Sequence, residues 1–248
     1  MPERKCPFEL ILAESEAKLI QNLSDLIKRC STQALLNKKS FTIGLSGGSL
    51  VQLLTKSLVD QPLDTSQWLF FFCDERYVAH DHSDSTYWAY KTELLSKLPS
   101  IQDSQFIKAD TTKPLDQCAV NYEEQVKSKV GSIGDTLPQF DLLLLGMGPD
   151  GHTCSLFPEQ PESLAEISRL IIPIRNSPKP PPERITFTLP LINNAKDVAF
   201  VVTGASKATV VKKVFVDVDK KYPSAWIEPI NGKLTLITDA GAGQELKL

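Results

Sequence analysis

Five short runs of unbroken apolar residues limit how this chain can fold: FTIGLS (41–46), WLFFFC (68–73), FDLLLLG (140–146), RLIIPI (169–174) and DVAFVVTG (197–204). Each is bounded by Gly, Pro or Asp, and most are rich in β-branched and aromatic residues, so they read as strands. FDLLLLG is ambiguous because Leu favours helix; its brevity and closing glycine make it a strand. The runs are continuous rather than alternating, so both faces of each strand are expected to be covered. Helical patterns fill the gaps. Residues 15–36 carry Ala17, Leu19, Ile20, Leu23, Leu26 and Ile27 at helical spacing. Helices are also expected over 49–58, 86–98, 115–130 and 206–215. Strand then helix, repeated, predicts an α/β fold, a single layered domain over residues 1–248 with a mostly parallel, Rossmann-like sheet flanked by helices. The closing KLTLITDAGAGQEL reads as a last strand followed by a loop or short helix. SPKPPPE (177–183) is stiff and lies between strand-like segments, so it reads as a surface loop rather than a linker.

At 248 residues, 42% hydrophobic and 23% charged, the chain can bury a substantial core. A net charge of −3 gives no electrostatic reason to expect nucleic acid or an anionic membrane as partner. A few local cations could still hold a small anion. Nothing approaches a membrane span, and the apolar patch inside MPERKCPFELILAESEAKL (1–19) is too brief for a signal segment. Cys6, Cys30, Cys73, Cys118 and Cys154 are scattered, without zinc spacing. Reduced thiols in a cytoplasmic protein are the expected state.

In such sheets, ligands bind beyond the carboxyl ends of the strands. Four motifs fall there. In FTIGLSGGSLVQLL a strand runs through Ser46, Gly47, Gly48 and Ser49 into a helix. The glycines let backbone approach a ligand, and the helix start favours an anion. The plainer alternative is a tight turn with a serine N-cap. The sequence is neither a Walker loop nor GxGxxG. In FFFCDERYV, Asp74, Glu75 and Arg76 follow an apolar strand. They form either a solvated strand end or the lip of a site where Arg76 grips an anion. In LLLLGMGPDGHTCSLFP (142–158), Gly146, Gly148 and Gly151 make a flexible loop around Asp150 and His152. An imidazole there can take and return a proton near neutral pH. Asp150 could orient it or bind a substrate hydroxyl; the alternative is a histidine merely packed in a loop. The remaining histidines, His80 and His82 in AHDHSDSTYW, lack a third ligand and give no metal site. Arg184, opening RITFTLP, and Lys207, in TGASKATVV, are each ordinary cations; together with SGGS they would neutralise a phosphate dianion.

Together these motifs resemble the glucosamine-6-phosphate isomerase/6-phosphogluconolactonase family. The matching stretches are LSGGS (45–49), FCDERYV (72–78), HSDSTY (82–87), DLLLLGMGPDGHTCSLFP (141–158), SPKPPPERITFTLP (177–190) and TGASK (203–207), in the family's order. The GPDGHTxSLFP block is the specific signal; SGGS alone would not be. The resemblance implies an α/β domain with no cofactor and no metal that hydrolyses 6-phospho-D-glucono-1,5-lactone to 6-phosphogluconate. That is the second step of the oxidative pentose phosphate pathway, in the cytoplasm. The implied partner is the small phosphorylated sugar lactone, with no nucleic acid and no membrane; a monomer is expected. By motif, His152 looks like the catalytic base, with Asp150 and Arg76 beside it. Ser46, Gly47, Gly48 and Ser49 look like the phosphate loop. Arg184 and Lys207 match phosphate-ligand positions, and Asp74 and Arg76 look like pocket residues near the sugar. Isomerase/deaminase members place a glutamate five residues beyond the loop histidine. Here Phe157 stands there; an apolar ring cannot relay a proton, which favours the lactonase side. The rival readings are that isomerase/deaminase activity and a non-catalytic sugar-phosphate-binding module. In the lactonase mechanism the phosphate is anchored and neutral His152 deprotonates a water attacking C1. A glycine-loop N–H or Arg76 holds the oxyanion, and His152 returns its proton to the ring oxygen.

Overall fold

The computed structural model describes residues 6–59, 61, 63–131 and 137–246. The first half runs β1 (Phe8–Ala13), α1 (Glu16–Asn37), β2 (Phe41–Leu45), α2 (Ser49–Leu58), β3 (Trp68–Phe72), β4 (Asp74–Arg76), α3 (Thr86–Tyr90), β5 (Phe106–Ile107) and α4 (Leu115–Val130). The second half runs β6 (Leu142–Leu145), α5 (Pro161–Ala165), β7 (Ile171–Ile174), β8 (Arg184–Phe187), α6 (Leu189–Asn193), β9 (Asp197–Val202), α7 (Ala208–Phe215), β10 (Lys233–Asp239) and α8 (Ala240–Gly243). Seven strands form one sheet in the order β1-β10-β9-β6-β2-β3-β5, with every neighbouring pair parallel. The fold is α/β, as the strand–helix alternation predicts.

The continuous apolar runs have a direct cause. Along β6, Leu143 and Leu145 enter one core while Leu142 and Leu144 enter another. Helices α4 and α7 cover the first face through Tyr122, Val126, Val211 and Val214. Helices α1 and α2 cover the second through Leu19, Leu23, Ile27 and Leu54. With a core on each side, neither face of the strand tolerates a polar residue. Helix α1 starts where Ser15 Oγ accepts the Lys18 N–H at 3.2 Å. The helix expected over 86–98 is α-helical only to Tyr90 and continues as a π-helical turn, Lys91–Leu95. The one expected over 206–215 begins at Ala208, after a 3₁₀ turn over Ala205–Lys207.

Two of the expected strands lie outside the parallel sheet. RLIIPI and RITFTLP become β7 and β8, which pair antiparallel with each other; with β4 they make a second sheet in the order β4-β8-β7. The chain changes sheets at Cys73. Its N–H donates to Leu45 O at 2.8 Å in the parallel sheet, and its carbonyl accepts from Phe187 N at 2.8 Å in the antiparallel one. FFFCDERYV is therefore two strands meeting at a corner, and DER is itself strand. The apolar patch near the start is β1, an edge strand parallel to β10.

Candidate active site

The site is built where β2, β3, β6 and β9 end. After β2, Ser46 N–H donates to Leu144 O at 3.0 Å, which aligns the SGGS turn with β6. Gly48 caps α2 with φ 71° and ψ −142°, a backbone region that L side chains rarely adopt. No side chain caps this helix, so the serine N-cap reading fails. In the first turn of α2, Val51 N–H donates to Gly48 O at 3.2 Å, and the helix dipole makes that end electropositive. Ser46 is 5% exposed and its Oγ has no hydrogen-bond partner. A buried hydroxyl left unpaired at a pocket is costly unless a ligand completes it.

The loop after β6 is closed rather than flexible. Gly148 N–H donates to His152 O, and Gly151 N–H to Gly148 O, each at 3.0 Å. A Cβ on Gly148 would overlap the imidazole and Asp150 Oδ1, so only glycine lets this turn fold around the histidine. The imidazole Nδ1 lies 2.5 Å from Asp150 Oδ1. Lys179 Nζ lies 2.9 Å from Asp150 Oδ2 and 3.1 Å from the same Nδ1. A ring nitrogen has one in-plane bonding direction. The short contact with a carboxylate assigns it to an Nδ1–H donating to Asp150, with the ammonium alongside. Nε2 is then the nitrogen left for chemistry. The ring packs on Phe157 with centroids 4.8 Å apart. Burial opposes ionisation of Asp150, yet the hydrogen bonds from His152 and Lys179 win and hold its carboxyl far below the usual range.

The antiparallel sheet supplies the opposite wall. Arg76 and Arg184 are paired positions on β4 and β8, and Asp74 faces Thr186. Asp74 Oδ2 accepts from Ser155 Oγ at 2.7 Å and stands 3.9 Å from Arg184 Nη1. Burial pushes the Arg184 guanidinium pKa down; Asp74 opposes the shift and Arg76 adds to it. Arg76 Nη1 donates to Asp84 O at 3.1 Å, while its Nε is buried without a partner. Glu75 turns away from the pocket. It is 2% exposed and accepts the N–H groups of Arg76, Thr86 and Tyr87 at 2.7–2.8 Å, which ties β4 to the start of α3. Lys207 makes no ion pair among the described residues. Burial and the charge of Lys179 lower its ammonium pKa, with Asp239 opposing.

Every sequence-predicted site residue except Asp150 lines one pocket: Ser46, Gly47, Gly48, Ser49, Asp74, Arg76, His152, Arg184 and Lys207. Asp150 stands behind His152, with both oxygens engaged. His80 and His82 are spent locally, Nε2 of the first 2.7 Å from Ala109 O and Nδ1 of the second accepting from Asp84 N. Sequence reasoning missed Lys179 and Ser155, and it named Glu75 at the strand end without its role in tying β4 to α3. Lys179 carried a usable signal, a cation on a proline-stiffened loop; Ser155 carried none.

These features define an α/β enzyme whose site lies over the carboxyl ends of a parallel sheet. Residues 14–236 match the family described as glucosamine-6-phosphate isomerases/6-phosphogluconolactonase, and the chain belongs to it. It is 64% identical over 247 residues to the "Probable 6-phosphogluconolactonase" of Drosophila melanogaster, covering 100% of this chain and 99% of the relative. It is 43% identical to the 6-phosphogluconolactonase of Rattus norvegicus, covering 98% of this chain and 95% of the relative. The solved 6-phosphogluconolactonase from Trypanosoma cruzi is similar with a TM-score of 0.84 at 25% identity, covering 100% of both chains. That from Trypanosoma brucei gives 0.83 at 26% identity, covering 98% of this chain and 100% of the other.

Proposed function

We propose that the chain hydrolyses 6-phospho-D-glucono-1,5-lactone to 6-phosphogluconate in the oxidative pentose phosphate pathway, in the cytoplasm, with His152 as general base. One observation carries this reading: an imidazole pinned through Nδ1 by Asp150 shares a pocket with SGGS, Arg76, Arg184 and Lys207. The substrate phosphate is anchored by the α2 N-terminus, Ser46 Oγ, Lys207 and the Nη1 edge of Arg184. Anchoring fixes C1 beside His152, which makes the reaction effectively unimolecular in the bound state. His152 Nε2 takes a proton from water as its oxygen bonds to C1. The carbonyl oxygen becomes an oxyanion, and the unpartnered Nε–H of Arg76 is the donor that receives it. Collapse re-forms the carbonyl and breaks the bond from C1 to the ring oxygen. His152 gives that oxygen its proton, and the product is the open acid. Phe157 is buried against the imidazole, so no side-chain carboxyl stands there to relay a proton for an isomerase/deaminase reaction.

The test is turnover of freshly prepared phosphorylated lactone, corrected for spontaneous opening. His152→Ala is expected to lower kcat by ~10²–10⁴-fold with KM little changed. Near-wild-type turnover in that variant removes the histidine from the reaction. Equal hydrolysis of unphosphorylated gluconolactone removes the phosphate anchor.

A further inference from the structure

Lys179 is not part of the pocket wall. It sits on the proline-rich loop that the sequence reads as a passive connector, yet its ammonium touches both members of the Asp150–His152 pair. A half-exposed Lys–Asp pair on a free side chain contributes little. Here the backbone beneath it is fixed. Arg184, 3% exposed, donates Nη2 to the carbonyls of Lys179 and Pro180 at 3.0 Å each, and Nε to Pro181 O at 3.2 Å. Ser177 N–H closes the same loop on Pro182 O at 2.9 Å. One planar guanidinium thus holds three successive carbonyls, which a lysine could not do. The Lys179 ammonium is presented to the dyad from an anchored Cα.

The effect is geometric. Asp150 is held at both oxygens, so its carboxylate cannot rotate away from Nδ1. The charged groups facing His152 are Asp150 from its own loop, Lys179 from the proline-rich loop and Lys207 from the turn before α7; across the pocket stand Asp74, Arg76 and Arg184 from the antiparallel sheet. Lys179 is the cation in direct contact with the ring.

We propose that Lys179 is a positioning residue for the reaction: its ammonium locks Asp150 onto His152 Nδ1 and so holds the imidazole with Nε2 toward the pocket, while Arg184 sets its place by gripping the backbone of residues 179–181. The proposal rests on the reading of His152 as the base.

Lys179→Met and Lys179→Arg in the full chain decide it, assayed on the phosphorylated lactone across pH, with the His152 ring signals followed by NMR in the same proteins. The chain has three histidines, so these signals can be assigned by substitution. Lys179→Met is expected to lower kcat about tenfold, a fraction of the ~10²–10⁴ a general base supplies. KM stays near wild type, because Lys179 does not line the pocket. The downfield Nδ1–H resonance of His152, the mark of its bond to Asp150, is expected to broaden or disappear in the same variant. Lys179→Arg restores the charge and brings kcat and this resonance back toward wild type. A Lys179→Met protein with unchanged kcat and unchanged His152 ring signals overturns the proposal, as does a Lys179→Arg protein that behaves like Lys179→Met. If the wild type leaves the lactone unopened, the proposed function falls, and the ring signals still decide the role of Lys179.

Discussion

Lys207 shows how one residue's surroundings become a functional property. Its ammonium loses solvation and faces Lys179, and both effects favour the neutral amine. A bound phosphate dianion would favour the charged form. Binding is therefore expected to weaken as pH rises through a range below that of an ordinary lysine. Calorimetric titration of 6-phosphogluconate between neutral and alkaline pH measures this. Lys207→Met should raise Kd by about 10–100-fold, the worth of a charge-assisted hydrogen bond, and flatten the alkaline decline. An alkaline decline that persists in Lys207→Met would assign it to another group. That such residues would gather at one pocket was legible in the sequence, because glycine, histidine and cations at strand ends have few structural uses. Glu75 stood out at its strand end, but its role was not legible. Its three N–H partners, at Arg76, Thr86 and Tyr87, come together only after α3 folds back on β4. Lys179 was hidden for the opposite reason: its loop looked too simple to hold chemistry.

At the scale of elements, strands were readable where both faces are buried and unreadable where the pairing partner decides. LLLL in β6 could only be covered on both sides, whereas IIPI in β7 fits either sheet. Pro173 cannot donate to a ladder, which suits β7 to the edge of the small antiparallel sheet. The corner at Cys73 leaves no mark, since cysteine fits a strand of either type. The opposite ends of β2 and β6 are joined by Asp141, 2% exposed. Its Oδ2 accepts Thr42 N–H at 3.0 Å and Thr42 Oγ1–H at 2.9 Å, and its Oδ1 meets Lys196 at 2.9 Å and Lys38 at 3.1 Å. Burial opposes ionisation, but the Thr42 bond and the two lysines hold the carboxyl pKa below its usual value. A depressed carboxylate adds stability above the unfolded-state pKa, about 4, and loses that contribution as pH falls through the lower folded value. Asp141→Asn should cost about 2 kcal/mol in urea unfolding at neutral pH. The gap from wild type should close below about pH 4. Because the residue lies at the end of β6 away from the site, kcat should not change. Equal urea midpoints at neutral pH would make the cluster incidental.

For the whole molecule, the decisive feature is that the pocket belongs to neither sheet alone. SGGS and the His152 loop extend from the parallel sheet, while Asp74, Arg76 and Arg184 stand on the antiparallel one. Chain separation is large: Asp74 Oδ2 and Ser155 Oγ are 81 residues apart in sequence and 2.7 Å apart in space. A ligand that bridges the two walls is a cross-link that only the folded state offers. Unfolding must release it, so stability rises with ligand concentration as RT ln(1 + [L]/Kd). At a hundredfold excess of 6-phosphogluconate over Kd this is about 2.7 kcal/mol, or roughly 5–10 °C in Tm for a chain of this length. Gluconate lacks the phosphate and should leave Tm nearly unchanged at the same concentration. Arg184→Met should abolish most of the ligand-induced rise, because in the proposed complex that guanidinium faces the anion, and it holds the loop behind the dyad. Thermal melts of the wild type with each ligand make the comparison. Equal shifts with gluconate and 6-phosphogluconate would mean that the pocket grips the sugar and that its cations serve the fold instead.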